Sequence, residues 1–172
     1  MICRKGVQEM KRILTGTIIF ALSMMYMVSC GNQGGITMDN NTVFAKGDKA
    51  SNSIFSNTVW VNMLVTDEEK AFDTQVYNVT FEPAARTYWH SHPGGQILLV
   101  TKGTGYYQEK GKPARLLREG DVVAIPKNTA HWHGAAPESH FVHLGMSTQV
   151  HLGPAEWLGP VTDEQYREAT AK

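Results

Sequence analysis

Short apolar runs separated by turn residues occupy most of the chain from residue 54 onward. Residues 75–82 alternate strictly between apolar and polar, as a half-buried strand does. Tyr77, Val79 and Phe81 share its apolar face. Similar runs cover residues 59–65, 87–92, 96–102, 106–109, 114–117, 122–125 and 139–150. Strand-like runs at intervals of roughly 8–12 residues predict an all-β sandwich or barrel.

Turn and helix signals complete this pattern. Pro93-Gly94-Gly95 and Gly103-Thr104-Gly105 are predicted turns between strands. One short helix is expected at the end of the chain, where Thr162 and Gln165 have the spacing of a capping box, and it should run to about Ala171. Strands do not alternate with helices, so a parallel α/β sheet is not expected.

The first 53 residues have a different pattern of charged and apolar residues. A basic pair, Lys11-Arg12, precedes sixteen uncharged residues, 13–28, and small residues then lead to Cys30. A basic region followed by an apolar stretch and a cleavage site of small residues predicts a secretory signal over residues 1–29. The stretch is shorter than the roughly 20 apolar residues needed to span a bilayer, although a retained anchor or a buried helix is the alternative. Residues 30–53, rich in Gly and Asn, are predicted to be a flexible tether, and residues 54–172 the folded domain.

The cysteine at the end of this signal resembles the lipobox of bacterial lipoproteins. That resemblance implies that Cys30 is lipidated and becomes the first mature residue. We therefore expect a lipid-anchored protein of the bacterial cell envelope, on the periplasmic face or at the outer membrane. Residues 1–9, with Cys3, resemble an upstream start-codon artefact, because the basic region begins more naturally at Met10.

Charge and cysteine content exclude several functions. The net charge of zero gives no basic surface for nucleic acid, and two cysteines cannot form a disulfide framework or a cysteine-rich zinc module. The net charge of zero combines two unlike parts of the chain. The predicted signal is basic, and its removal leaves a mildly acidic domain. Seven histidines, all between His90 and His151, are the unusual feature.

The histidines form two pairs with strand spacing. His90 and His92 leave the same face of a strand, and His131 and His133 form a second such pair. Gln96 follows the Pro-Gly-Gly turn, and a hairpin there would place it opposite the first pair. Imidazole nitrogens with a side-chain oxygen suit Mn, Fe, Co, Ni or Zn.

Two stretches carry a specific resemblance. HSHPGGQILLVTKG, residues 90–103, resembles the first cupin motif, and GDVVAIPKNTAH, residues 120–131, resembles the second. The cupin resemblance implies a small jelly-roll β-barrel with a metal inside, here with a short C-terminal helix. The barrel agrees with the strand pattern found independently.

A narrower resemblance rests on TYWHSHPGGQ, HWHGAAP and WLGPVTDEQY. Together they are similar to a subgroup of small cupins that includes manganese-dependent hydroxynitrile lyases and carboxymuconolactone-decarboxylase-like proteins. This resemblance covers roughly residues 54–166. It implies manganese as the ion, with Fe, Zn, Ni or Co as alternatives. The implied metal ligands are His90, His92, Gln96 and His131, and the implied base is His143.

Gln96 departs from the wider family, which has Glu at this position. An amide supplies an oxygen but no charge, so we expect a more weakly bound and more Lewis-acidic ion. The alternative is that Gln96 only bonds the turn. The ligand histidines could likewise be structural residues that bond the backbone.

The remaining histidines leave alternatives open. His133 should point into the barrel, where it either orients a substrate or only fills the core. His143 is either a general base or a core residue. Tyr77 and Val79 are expected in the substrate pocket. His140 and His151 are expected at the surface, and the tryptophans are interpreted as packing residues.

Three functions remain from the sequence. The first is a metal-dependent enzyme that acts on a small hydroxyl or carbonyl substrate, with cyanohydrin-type C–C cleavage as one reaction implied by the resemblance. The second is an Fe(II) cupin that uses O2, and the third is a non-catalytic ligand-binding module. No membrane contact beyond the lipid and no nucleic acid is expected as partner, and the cupin resemblance implies a homodimer or homotetramer.

Overall fold

A computed structural model describes residues 42–171, about half of which lie in antiparallel strands. The strands are β1 (Asp48–Lys49), β2 (Phe55–Ser56), β3 (Val59–Val65), β4 (Thr74–Phe81), β5 (Arg86–Thr87), β6 (Trp89–Ser91), β7 (Gln96–Glu109), β8 (Arg115–Arg118), β9 (Val122–Ile125), β10 (His131–Ala135), β11 (Phe141–Thr148) and β12 (Glu156–Gly159). A 3-10 turn spans Val150–Leu152, and helix α1 spans Asp163–Thr170. The all-β prediction is confirmed.

The strands form two antiparallel sheets that share β7. One sheet has the order β1-β3-β4-β11-β7, with β9 also paired to β7. In the other, β10 joins β7 to β5 and β6, and β8 pairs with β7. Curled around one core, the two sheets make the jelly-roll barrel, and β4, β6, β7, β10 and β11 surround its interior.

The predicted turn at Gly103-Thr104-Gly105 is wrong. This segment lies inside one strand of 14 residues, β7. Gly103 has a φ of 76°, and a Cβ there would come 2.0 Å from the carbonyl oxygen of His140. The glycine therefore bends the strand without ending it, since only glycine adopts this backbone at so close an approach. The bend carries β7 from one sheet into the other.

The turn at Pro93-Gly94-Gly95 is present, with a hydrogen bond from Gly95 N to His92 O of 3.1 Å. It does not join a paired hairpin, however. β6 pairs with β10 and β12, whereas Gln96 on β7 lies opposite Ile125 and Ser147. The turn thus takes the chain from one sheet to the other, and Gln96 approaches the histidines across the interior.

The helix begins as the capping box predicts. The side chain of Thr162 accepts from Gln165 N, and the side chain of Gln165 accepts from Thr162 N. Buried Arg86 holds the helix to the barrel by donating to Val161 O at 2.9 Å and to Asp163 at 2.7 Å. Tyr166 packs over the same guanidinium and, with Trp132, forms a second cluster outside the main core.

The folded part extends upstream of the predicted boundary at residue 54. Asp48 and Lys49 pair with β3, and Ala50 packs against the main core. The predicted signal over residues 1–29 and its Cys30 lie outside the described residues. Within residues 42–171, no helix is long and apolar enough to cross a membrane.

A candidate metal centre in the barrel

Three histidines from two neighbouring strands and the following loop converge inside the barrel. His90 on β6 and His131 on β10 are direct register partners, and their ring centroids lie 4.2 Å apart. His92 follows two residues after His90, with its ring 5.2 Å away. One ring nitrogen from each lies within 4.8 Å of the others, so the group could hold a metal ion.

Backbone carbonyls fix the orientation of two of these rings. The Nδ1 atom of His90 donates to Tyr88 O at 2.9 Å, and that of His131 donates to Thr129 O at 2.7 Å. A carbonyl can only accept, so in each neutral ring the hydrogen is on Nδ1 and the lone pair is on Nε2. This is the arrangement in which second-sphere acceptors orient histidines toward a metal.

Burial keeps the three imidazoles in the neutral form that binds metals. Desolvation lowers the pKa of His92 to about 4 and that of His131 to about 4. The pKa of His90 falls well below its ordinary value for the same reason, with a further contribution from the neighbouring His131.

Gln96 adds an oxygen to the three nitrogens. Its Oε1 lies 3.0 Å from Nε2 of His131, and its Nε2 donates to the hydroxyl of Tyr77 at 2.7 Å. Two lone pairs, on Oε1 and on the His131 nitrogen, therefore face each other, an arrangement that a cation shared by both atoms stabilises. The donor set of three imidazoles and one amide oxygen thus fits a divalent transition metal.

A cavity of about 310 Å³ opens beside this group. His90, His92 and Gln96 are among the polar residues that line it, and Ile54, Phe55 and Val61 are among the apolar ones. Tyr77 and Val79, the two residues predicted for a substrate pocket, also line this cavity. The cavity combines a few polar groups with apolar walls, which suits a small ligand with one polar group.

His133 and His143 form a buried pair next to His90, His92 and His131. The Nε2 of His143 lies 3.2 Å from the Nδ1 of His133, and both rings contact Phe81. His133 lines the cavity, and its Nε2 is buried without a hydrogen-bond partner in the described part of the chain. His143 lies behind it, so its predicted action as base stays a prediction and would operate through His133.

Two site residues were missed from the sequence. Ser147 lines the cavity and bonds both Tyr77 and His92, at 2.9 and 3.2 Å. It shares the inward face of β11 with His143, so strict alternation could have identified it. Trp157 stacks on His90 with a centroid distance of 4.8 Å and also lines the cavity. No sequence signal indicates that contact, because it depends on the pairing of β12 with β6.

His140 and His151 lie outside the site, as expected. His140 is exposed and approaches Glu82 at 3.1 Å, and His151 is exposed and pairs with Asp73 at 2.6 Å.

The fold and the site together define a jelly-roll barrel protein with an internal histidine group suited to metal binding. Residues 77–144 match the family described as the cupin domain. One relative is 42% identical to this chain over 113 residues. The aligned part covers 66% of this chain and 86% of the relative. The chain belongs to the cupin family.

That relative is an (R)-mandelonitrile lyase from Granulicella tundricola. Among solved structures, a cupin-like protein from Thermotoga maritima is 66% identical, with a TM-score of 0.75 over 76% of this chain and 98% of that one. A predicted oxalate decarboxylase from the same organism is 19% identical, with a TM-score of 0.53 over 58% of this chain and 88% of that one, and supports the fold alone.

Proposed function

We propose that this cupin is a metal-dependent lyase that cleaves a small cyanohydrin, with mandelonitrile as the first compound to test. The observation that carries the proposal is the neutral donor set of three imidazoles and one amide oxygen beside a mostly apolar cavity. The 42% identical mandelonitrile lyase supports the choice of substrate. We propose manganese as the ion, following the resemblance of the motifs.

The ligands would be Nε2 of His90, His92 and His131 and Oε1 of Gln96. When bound, a divalent ion would supply Lewis acidity at the substrate hydroxyl oxygen, and four neutral ligands would leave its charge uncompensated. The apolar walls contributed by Ile54, Phe55 and Val61 would hold the aryl group and exclude water from the polar groups.

The histidine pair would move the proton. The free Nε2 of His133 would accept the hydroxyl proton of the cyanohydrin, while its Nδ1–H donates to Nε2 of His143. The O–H bond breaks, the carbonyl double bond forms, and the electron pair of the C–CN bond leaves with cyanide. Return of the proton from His133 to cyanide gives the aldehyde and hydrogen cyanide, which balances the reaction. His143 would act from behind, by holding the tautomer of His133.

The direct test is cleavage of mandelonitrile by the manganese-loaded full chain, followed by benzaldehyde absorbance. We expect metal near one equivalent and steady benzaldehyde release. His131→Ala should lose both, because it removes a ligand at the centre of the group. The exposed His140→Ala is the matched control and should keep both.

Two outcomes would overturn the proposal. A fully metal-loaded chain that releases no benzaldehyde is not this lyase. Loss of benzaldehyde release in His140→Ala as in His131→Ala would mean that the histidine group does not carry the reaction. Oxygen consumption by an iron-loaded chain with an aromatic or enediol compound would instead favour the dioxygenase function.

We also propose that the protein is anchored to the bacterial cell envelope through a lipid on Cys30. The basic and apolar sequence that precedes this cysteine supports the assignment. Self-association as a homodimer or homotetramer is proposed from the cupin resemblance, and light scattering of the purified full chain tests it.

A further inference from the structure

Four side chains that line the cavity form a continuous line of hydrogen bonds. Gln96 Nε2 donates to Tyr77 at 2.7 Å, the Tyr77 hydroxyl lies 2.9 Å from Ser147 Oγ, and Ser147 Oγ lies 3.2 Å from His92 Nδ1. The two hydroxyls are therefore in the middle, and the amide and the imidazole are at the ends.

Both ends of the line donate hydrogens inward. The amide oxygen of Gln96 faces His131, so the group that reaches Tyr77 is its NH2, which can only donate. A neutral His92 that binds metal through Nε2 keeps its hydrogen on Nδ1 and donates it to Ser147. This step rests on the proposed function, because metal binding fixes the tautomer of His92 and the orientation of the Gln96 amide.

This line of hydrogen bonds then contains one more donor hydrogen than it has acceptors within the line. Tyr77 and Ser147 each receive one hydrogen from an end, and only one of their two O–H groups can lie between them. The other O–H finds no acceptor among the contacts of these two side chains within residues 42–171. Both side chains line the cavity, so the cavity is where a bound ligand can supply the missing acceptor.

We infer that Tyr77 and Ser147 present one hydroxyl hydrogen to the cavity beside the metal ligands, and that they select compounds with a hydrogen-bond acceptor there. A carbonyl oxygen, or the alkoxide oxygen that develops from a hydroxyl, meets this requirement. The donor stabilises negative charge on that oxygen next to His92 and Gln96. A hydrocarbon of the same shape leaves the hydrogen unsatisfied.

The count of hydrogens predicts an unusual pattern of substitutions. In Tyr77→Phe the Ser147 hydroxyl still accepts from His92, and its own hydrogen becomes free. In Ser147→Ala the Tyr77 hydroxyl still accepts from Gln96, and its hydrogen becomes free. Each single variant therefore keeps one donor, and only the double variant loses it.

The experiment compares the binding of benzaldehyde and styrene, which have similar shapes, to the metal-loaded full chain by calorimetry without cyanide. The preference for benzaldehyde over styrene should fall about fivefold in Tyr77→Phe/Ser147→Ala, the worth of one neutral hydrogen bond, and at most about twofold in either single variant. Tyr106→Phe lies in the second cluster and is the matched control, with an unchanged preference. Metal content and melting temperature are measured for every variant.

The outcomes separate this inference from the proposed function. A wild-type chain that binds no metal overturns both, since the tautomer of His92 depends on the metal. A double variant with full metal, a normal melting transition and an unchanged preference overturns the donor alone. A loss of preference in Tyr77→Phe as large as in the double variant also overturns it, because the hydrogen would then belong to Tyr77 only.

Discussion

The ring of Tyr77 lies directly on Gly145 of the neighbouring strand. The two residues are register partners between β4 and β11, and a Cβ at position 145 would come 2.3 Å from Cε2 of Tyr77. The missing side chain lets the ring lie against the sheet with its hydroxyl at Gln96 and Ser147. A glycine on one strand thus sets the position of a polar group at the site.

Gly145→Ala should push the Tyr77 ring away and lower the free energy of unfolding by roughly 1–3 kcal/mol, the usual cost of overpacking. The hydrogen bond between Tyr77 and Gln96 should be lost with it. Urea unfolding of the variant measures the cost. The same substitution in a Tyr77→Ala background should cost clearly less, and equal costs in both backgrounds would rule out a clash with Tyr77 as the cause.

Gln96→Glu should bind metal more tightly and cleave mandelonitrile more slowly, each by roughly tenfold, because a carboxylate offsets the charge that the amide leaves uncompensated. Competition with a chelator measures the first effect, and the turnover number measures the second. Gln165→Glu makes the same change of charge in the exposed capping box and should alter neither. Tighter binding with faster cleavage would contradict the argument.

The metal-free protein should become less stable as the pH falls from about 6.5 toward about 4. Burial lowers the pKa of His92, His131 and His143 to about 4 in the folded chain. The unfolded chain therefore binds more protons in this range, and stability rises with pH. Urea unfolding with a chelator at about pH 7 and about pH 5 tests this. A flat profile would mean that the folded histidines titrate normally.

Cys30→Ser should abolish labelling of the protein by radioactive palmitate in a bacterial host and release it from the membrane fraction. Cys3→Ser is the matched control, since Cys3 lies ahead of the basic pair Lys11-Arg12 and far from the small-residue site at Cys30, and labelling should persist. Labelling that survives Cys30→Ser would place the anchor elsewhere.

Much of the site could be predicted from spacing alone. A period of two puts His90 with His92 and His131 with His133, and the turn residues around them indicate strands. That the two pairs meet at one centre was implied only by the cupin resemblance, because the pairing of β6 with β10 is a long-range contact. Strand alternation predicts that His133 and His143 both point inward, but it cannot predict which of the two lines the cavity. Which one reaches the cavity depends on how β10 and β11 lie across the core.

By itself the sequence determined the all-β class, the capped C-terminal helix and the two histidine pairs, since strand alternation, capping and turn chemistry act over a few residues. Only the tertiary structure decided that β7 continues through Gly103, that Trp157 stacks on His90 and that Ser147 joins Tyr77 to His92. These contacts connect strands far apart in the chain, and their geometry follows from sheet pairing and close packing, which no short stretch of sequence encodes.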